Sequence, residues 1–199
     1  MADDKSGRDK QAHDADRRQR EREIRAELER YDEAEPAVDD AELDEVEAEL
    51  EAISFPATGA EVVAVVGERR VTAGRESYAV KELLPETDVE TFEGPEIVRV
   101  RIRRPQVASA MKRIVEAADS VRDTEFPPKR RDAYEKSLRA MAAIDADDED
   151  SGVRALQDWV LDRIEEKGKL PGSRDVRRQG AKIARKHGHE IRNDEWPGD

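Results

Sequence analysis

Residues 95–105 read Pro-Glu-Ile-Val-Arg-Val-Arg-Ile-Arg-Arg-Pro, and the central fold turns on how they are read. Val98, Val100 and Ile102 alternate with Arg99, Arg101 and Arg103, the period of two that sets one side of a strand in a core and the other in water. Pro95 also suits the first turn of a helix, where its missing N–H would have had no helical partner. The alternation carries the expectation of a strand over 97–103, closed by Pro105. It would be the third strand of a small sheet beside a hairpin in Arg69–Val80, where RRVTAGRESYAV sets β-branched and aromatic residues around Ala73-Gly74.

Helices surround this region. Asp39 with Glu42 three residues on forms a capping-box pattern ahead of Leu43, Val46, Leu50 and Ile53. Phe55-Pro56 breaks that helix, and Thr58 with Glu61 repeats the pattern before Val62, Val63, Val65 and Val66, with Gly67 as the stop. Lys81–Leu84 reads as a helical turn before Pro85. Beyond Pro105, one helix carries Val107, Met111, Ile114, Val115 and Ala118, and another carries Tyr134, Leu138, Met141 and Ile144, with Phe126-Pro127-Pro128 turning the chain between them. From Val153 a helix with Leu156, Trp159, Val160 and Ile164 ends at Gly168. Leu170-Pro171-Gly172 turns again, and Ser173 is placed to cap a last helix running to His187, with Gly188 after it.

The fold class is therefore α+β, mostly α-helical. A small β-hairpin or three-stranded sheet lies in the central module, and the C-terminal module is helical. The expected organisation is a charged, disordered to helical tail over 1–38, a central α+β module over 39–144, an acidic linker at 145–150 and a helix-turn-helix-like module over 151–199. Of 199 residues, 43% are charged, 36% hydrophobic and 4% aromatic, so the cores should be small. Without an apolar run of membrane-spanning length or an apolar N-terminal segment, neither a membrane span nor a signal peptide is expected, and the location is cytoplasmic. Absence of cysteine excludes disulfides and thiolate chemistry.

Against a net charge of -13, the stretch Lys167–Arg192 is basic: Lys167, Lys169, Arg174, Arg177, Arg178, Lys182, Arg185, Lys186 and Arg192 meet only Asp175 and Glu190. On the last helix Val176, Gly180, Ile183 and Ala184 share one face, and Arg174, Arg178, Lys182 and Arg185 share another. The candidate nucleic-acid-binding residues are Arg174, Arg177, Arg178, Lys182 and Arg185, with the arginines favoured because a guanidinium donates in a fork to phosphate or base. Structural explanations compete. Lys and Arg are good helix formers, Arg185 and Lys186 complement the helix dipole, and an acidic central module could neutralise the face by docking on it.

Two functional classes stay open. One is a non-catalytic protein that binds DNA or RNA; the other is a protein-interaction adaptor that meets a protein partner through the N-terminal charged helix, where Ile24, Leu28 and Tyr31 form a sparse stripe. No cofactor and no metal are expected: His187 and His189, even with Glu190 and Asp194 nearby, form a His-x-His pair without cysteine or a third well-spaced histidine. No glycine-rich phosphate loop is present, and Ser109, Ser137 and Ser173 have no nearby histidine in sequence, so enzyme activity is not expected. Trp196 is expected to fold back towards Trp159.

Three resemblances add to this reading. The stretch LQDWVLDRIEEKGKLPGSRDV, residues 156–176, resembles the first helix, turn and second helix of winged helix-turn-helix repressors. About a dozen residues follow His187, so the last helix would have to grip DNA itself or another chain would complete the unit. FPATGAEVV at 55–63 and ELLPETDVETFEGPE at 82–96 resemble a haloarchaeal domain-of-unknown-function family, which implies a fold and a setting but no activity. The excess of acids, with Arg outnumbering Lys, likewise resembles the cytoplasmic proteins of salt-accumulating haloarchaea, where an acidic surface keeps a protein hydrated. In molar salt the screening length falls to ~3 Å, so only close, hydrogen-bonded contacts would still contribute.

Overall fold

The computed structural model describes residues 37–121, 126–144 and 151–191. The expectations for the N-terminal stripe, the 145–150 linker and Trp196 lie outside the described residues.

Helix α1 (Asp40–Leu50) is capped as expected, the Asp39 carboxylate accepting the Ala41 N–H at 2.8 Å. Glu42 does not close a box. Its carboxylate accepts the Thr72 N–H instead and ties α1 to the hairpin. After β1 (Ala57–Thr58), helix α2 (Gly59–Val66) opens with the complete box: Thr58 Oγ1 accepts the Glu61 N–H at 3.2 Å and Glu61 Oε2 accepts the Thr58 N–H at 2.8 Å. The hairpin forms from β2 (Arg70–Ala73) and β3 (Glu76–Ala79), antiparallel with Arg70 opposite Ala79. Gly74 turns it at φ 62, a left-handed conformation that suits glycine. A short helix, α3 (Val80–Leu83), follows directly. Two-residue β4 (Thr91–Phe92) returns antiparallel to β1, with Ala57 opposite Phe92.

The stretch expected as a strand is helix α4 (Pro95–Ile102), with Pro95 at its first turn. Its alternation interleaves two spacings of four. Val98 and Ile102 are fully buried, while Arg99 and Arg103 lie one residue round and pair with acids of α1: Arg99 with Asp40 at 3.1 Å and with Asp44, and Arg103 with Asp40 at 3.5 Å. Because those partners are contributed by another helix, the arginine side of α4 is not the solvated face of a strand. The sheet content among the described residues is therefore two separate two-stranded pairs, and the α+β, mostly helical class holds.

Helices α5 (Pro105–Asp119), α6 (Pro128–Ile144), α7 (Ser151–Lys167) and α8 (Ser173–Lys186) pack on one another. Their cluster includes Met111, Ile114, Tyr134, Leu138, Met141, Leu156, Val160 and Val176. Phe126 meets Tyr134 edge-on, with ring centroids 5.1 Å apart. A second cluster joins Val38, Leu43, Leu50, Val62, Val71, Leu83, Phe92, Val98 and Ile102. Helix α5 serves both, giving Ala108 to the second and Val107 and Met111 to the first.

Where α4 meets α6, charge is buried. Arg101 Nη2 lies 3.0 Å from Glu90 Oε1 and 3.0 Å from Glu135 Oε2, Arg139 pairs with Glu135, and Arg131 Nη1 stands 3.8 Å from Glu90. Burial alone would raise the Glu135 carboxyl, but the guanidinium charges of Arg101, Arg139 and Arg104 outweigh it and hold the group below the ordinary carboxylate range. A depressed carboxylate stabilises the fold at pH values above its unfolded pKa, and that contribution is lost as pH falls through the folded one. The urea midpoint should accordingly decline on acidification below about pH 5, and Glu135→Gln should flatten that decline. Superimposable acid limbs for the two proteins would refute this account.

Candidate nucleic-acid interface

Helix α7 ends at Gly168, which takes φ 58, and α8 starts five residues later. Ser173 is not the cap. Gly172 occupies that position, no side chain caps the helix, and the Asp175 and Val176 N–H groups donate to the Gly172 carbonyl at 2.9 and 3.1 Å. With Gly172 in extended backbone, Ser173 is already the first helical residue, so its hydroxyl is displaced from the capping position. The far end closes on His187, whose N–H donates to the Ile183 and Ala184 carbonyls at 3.1 Å, and on Gly188 at φ 87.

Val176, Gly180, Ala181, Ile183 and Ala184 are buried and mount α8 on α6 and α7. Arg174, Arg178 and Lys182 are exposed and follow one another at intervals of four, so they line one face with a rise of ~6 Å between neighbours. Arg185 is exposed on the same face, and its Nε donates to the Ile191 carbonyl at 3.1 Å. Lys186 is exposed too. Arg177 sits differently. It is half-buried with its Nε enclosed, because it lies four residues before the fully buried Ala181 and so at the margin of the packed face.

Many of the other cations are paired, although Arg70, Arg75, Arg113, Arg130 and Arg154 make no ion pair among the described residues. Arg69 pairs with Glu45 and Glu49, Lys81 with Glu68, Arg99 with three acids of α1, Lys112 with Glu116, and Arg101, Arg131 and Arg139 with Glu90 and Glu135. Among the described residues, Arg174, Arg178, Lys182 and Lys186 make no ion pair. Among the described residues, no acid of the central region pairs with Arg174, Arg178 or Lys182.

At the start of α8 the turn is anchored from α6. Tyr134 Oη donates to the Pro171 carbonyl at 2.6 Å, which ties the second turn of α6 to the residues that lead into α8. Trp159 on α7 is half-buried with the Arg163 guanidinium over its ring at 5.6 Å. Among the described residues no group of three or more His, Cys, Asp or Glu side chains is placed to hold a metal, and no helix is long and apolar enough to cross a membrane.

Fold and site together define a mostly helical α+β protein with one mounted helix whose outer face is cationic. Residues 37–113 match a family described as of unknown function, DUF5789. Both stretches noted for such a resemblance, 55–63 and 82–96, fall inside that span, which runs from α1 into α5 and excludes α6, α7 and α8. No curated protein and no solved structure matches the chain.

Proposed function

We propose that this chain is a non-catalytic, cytoplasmic nucleic-acid-binding protein that grips phosphates with the outer face of α8, in the manner of a helix-turn-helix element. One observation carries the reading: Arg174, Arg178 and Lys182 are exposed, in line on one face of one mounted helix, and free of acidic partners among the described residues. Such a row meets polyanion at close range, which is what a salt-rich, haloarchaeal cytoplasm would require. Arg185 and Lys186 continue the row, and Arg177 supports it from the packed margin.

The test is fluorescence anisotropy with a labelled 20-base-pair duplex over a KCl series, with circular dichroism at each salt to confirm folding. Each phosphate contact contributes about 0.9 to the slope of log affinity on log salt. Arg174→Ala/Arg178→Ala/Lys182→Ala should therefore flatten the slope by roughly 2.7 and weaken binding by over 100-fold at 0.1 M KCl. Equal affinity in a folded triple variant, or no binding by the unaltered chain, would end this reading.

A further inference from the structure

We infer that the outer face of α8 recognises a chain of phosphates as such, without reading bases, and that its ligand class is a linear run of at least about five phosphate groups. The inference deepens the reading of α8 given above and rests on it.

The length comes from the helix. Arg174, Arg178, Lys182 and Arg185 are all exposed. At ~3.6 residues per turn and ~1.5 Å per residue they fall within an arc of ~80° and span ~17 Å along the axis. Their mutual placement is fixed inside one helix, whose other side is buried through Val176, Gly180, Ala181, Ile183 and Ala184. One strand of nucleic acid advances ~3.4 Å along the axis per phosphate, so the strip is as long as about five consecutive phosphates. A lone phosphate or a mononucleotide meets one or two of these cations, whereas a chain laid along the helix meets all four.

The indifference to bases comes from what the strip is made of. A helix that reads sequence sets amides, hydroxyls, carboxylates or small apolar groups among its cations, because each base edge offers its own pattern of donors, acceptors and methyl groups. On α8 the apolar side chains Val176, Ala181, Ile183 and Ala184 are buried. Gln179 is half-buried and stands ~100° round the helix from the middle of the strip, and half-buried Ser173 stands ~140° round. Asp175 is exposed, but its carboxylate is drawn back over the helix start, where a methyl group on Gly172 would stand 3.2 Å from Oδ2. The outward strip is therefore cationic throughout, and contacts to phosphate position a ligand without carrying sequence information. Arginine by itself also forks onto guanine, which makes a guanine-rich strand the strictest comparison.

The experiment displaces the labelled 20-base-pair duplex from the intact chain at 0.1 M KCl, with circular dichroism to confirm folding. The unlabelled competitors are matched in phosphate number: a guanine-rich strand, an adenine-rich strand, an abasic strand and inorganic polyphosphate. The abasic strand should displace within about tenfold of both base-bearing strands, and polyphosphate at no more than about tenfold higher concentration, their order showing whether the sugar-phosphate or the inorganic chain is the preferred source. Lengthening the abasic chain from two to six phosphates should tighten displacement by on the order of 100-fold, since each single-strand contact adds about 0.7 to the slope of log affinity on log salt. A larger preference for either base-bearing strand overturns the inference, as does failure of polyphosphate to displace or displacement that is insensitive to length. If any of these appears while the α8 triple variant no longer binds the duplex, the reading of α8 stands and only its indifference to bases falls. Failure of the unaltered chain to bind the duplex removes both.

Discussion

Replacing Arg101 with Met should destabilise the protein by about 3–5 kcal/mol, among the largest effects of any single substitution outside the apolar core. Glu90 and Glu135 are drawn together on one guanidinium nitrogen, with both carboxylates almost enclosed. Removing Arg101 leaves Glu90 with Arg131 at 3.8 Å and Glu135 with Arg139, each short of its principal partner in a place with little water. The network is not saturated even in the native protein: Glu90 Oε2 and Arg101 Nη1 are buried without a hydrogen-bond partner among the described residues. The native network thus stabilises the fold less than the loss of one partner would suggest, as buried ion pairs offset their desolvation only when fully satisfied. Adding Glu90→Gln to Arg101→Met removes one of the stranded charges and should restore part of the loss. Urea unfolding of the two single variants and the double variant closes the cycle, and purely additive losses would show that Arg101 and Glu90 are not coupled.

What could be read in advance follows the reach of each interaction along the chain. The Thr58–Glu61 box and the Gly74 turn are fixed by residues within a few positions of one another, and both form as their spacing implies. Helix α4 imitates a strand in its sequence because Arg99 and Arg103 find their acids more than fifty residues earlier, on α1, so nothing local distinguishes a solvated arginine from a paired one. Likewise β1 and β4 are two residues each and exist only because the chain returns across thirty-odd positions. At the site, the period of four in Arg174, Arg178 and Lys182 makes the exposed face of α8 legible. Arg177 was harder, because its fate depends on how closely Ala181 packs.

Tyr134 is the residue whose removal should cost most on the α6–α8 side, and it can be divided into ring and hydroxyl. Tyr134→Ala empties a fully buried position against Phe126, Leu138 and their neighbours and should cost about 3–5 kcal/mol. Tyr134→Phe keeps the ring and takes only the donor from the Pro171 carbonyl, a loss of about 1 kcal/mol. The hydroxyl also leaves a signature in alkali. Burial, above all, pushes its ionisation well above the ordinary tyrosine range, with Arg130 lowering it and Asp175 raising it by smaller amounts. The unfolded chain releases that proton near pH ~10 while the folded protein retains it, so the folded state binds more protons and stability must fall as pH rises through that region. Tyr134→Phe has no proton to hold and should lack this part of the alkaline decline. Urea midpoints measured for both proteins from about pH 8 to pH 11 separate the possibilities, since parallel curves would mean that the hydroxyl is not buried against Pro171.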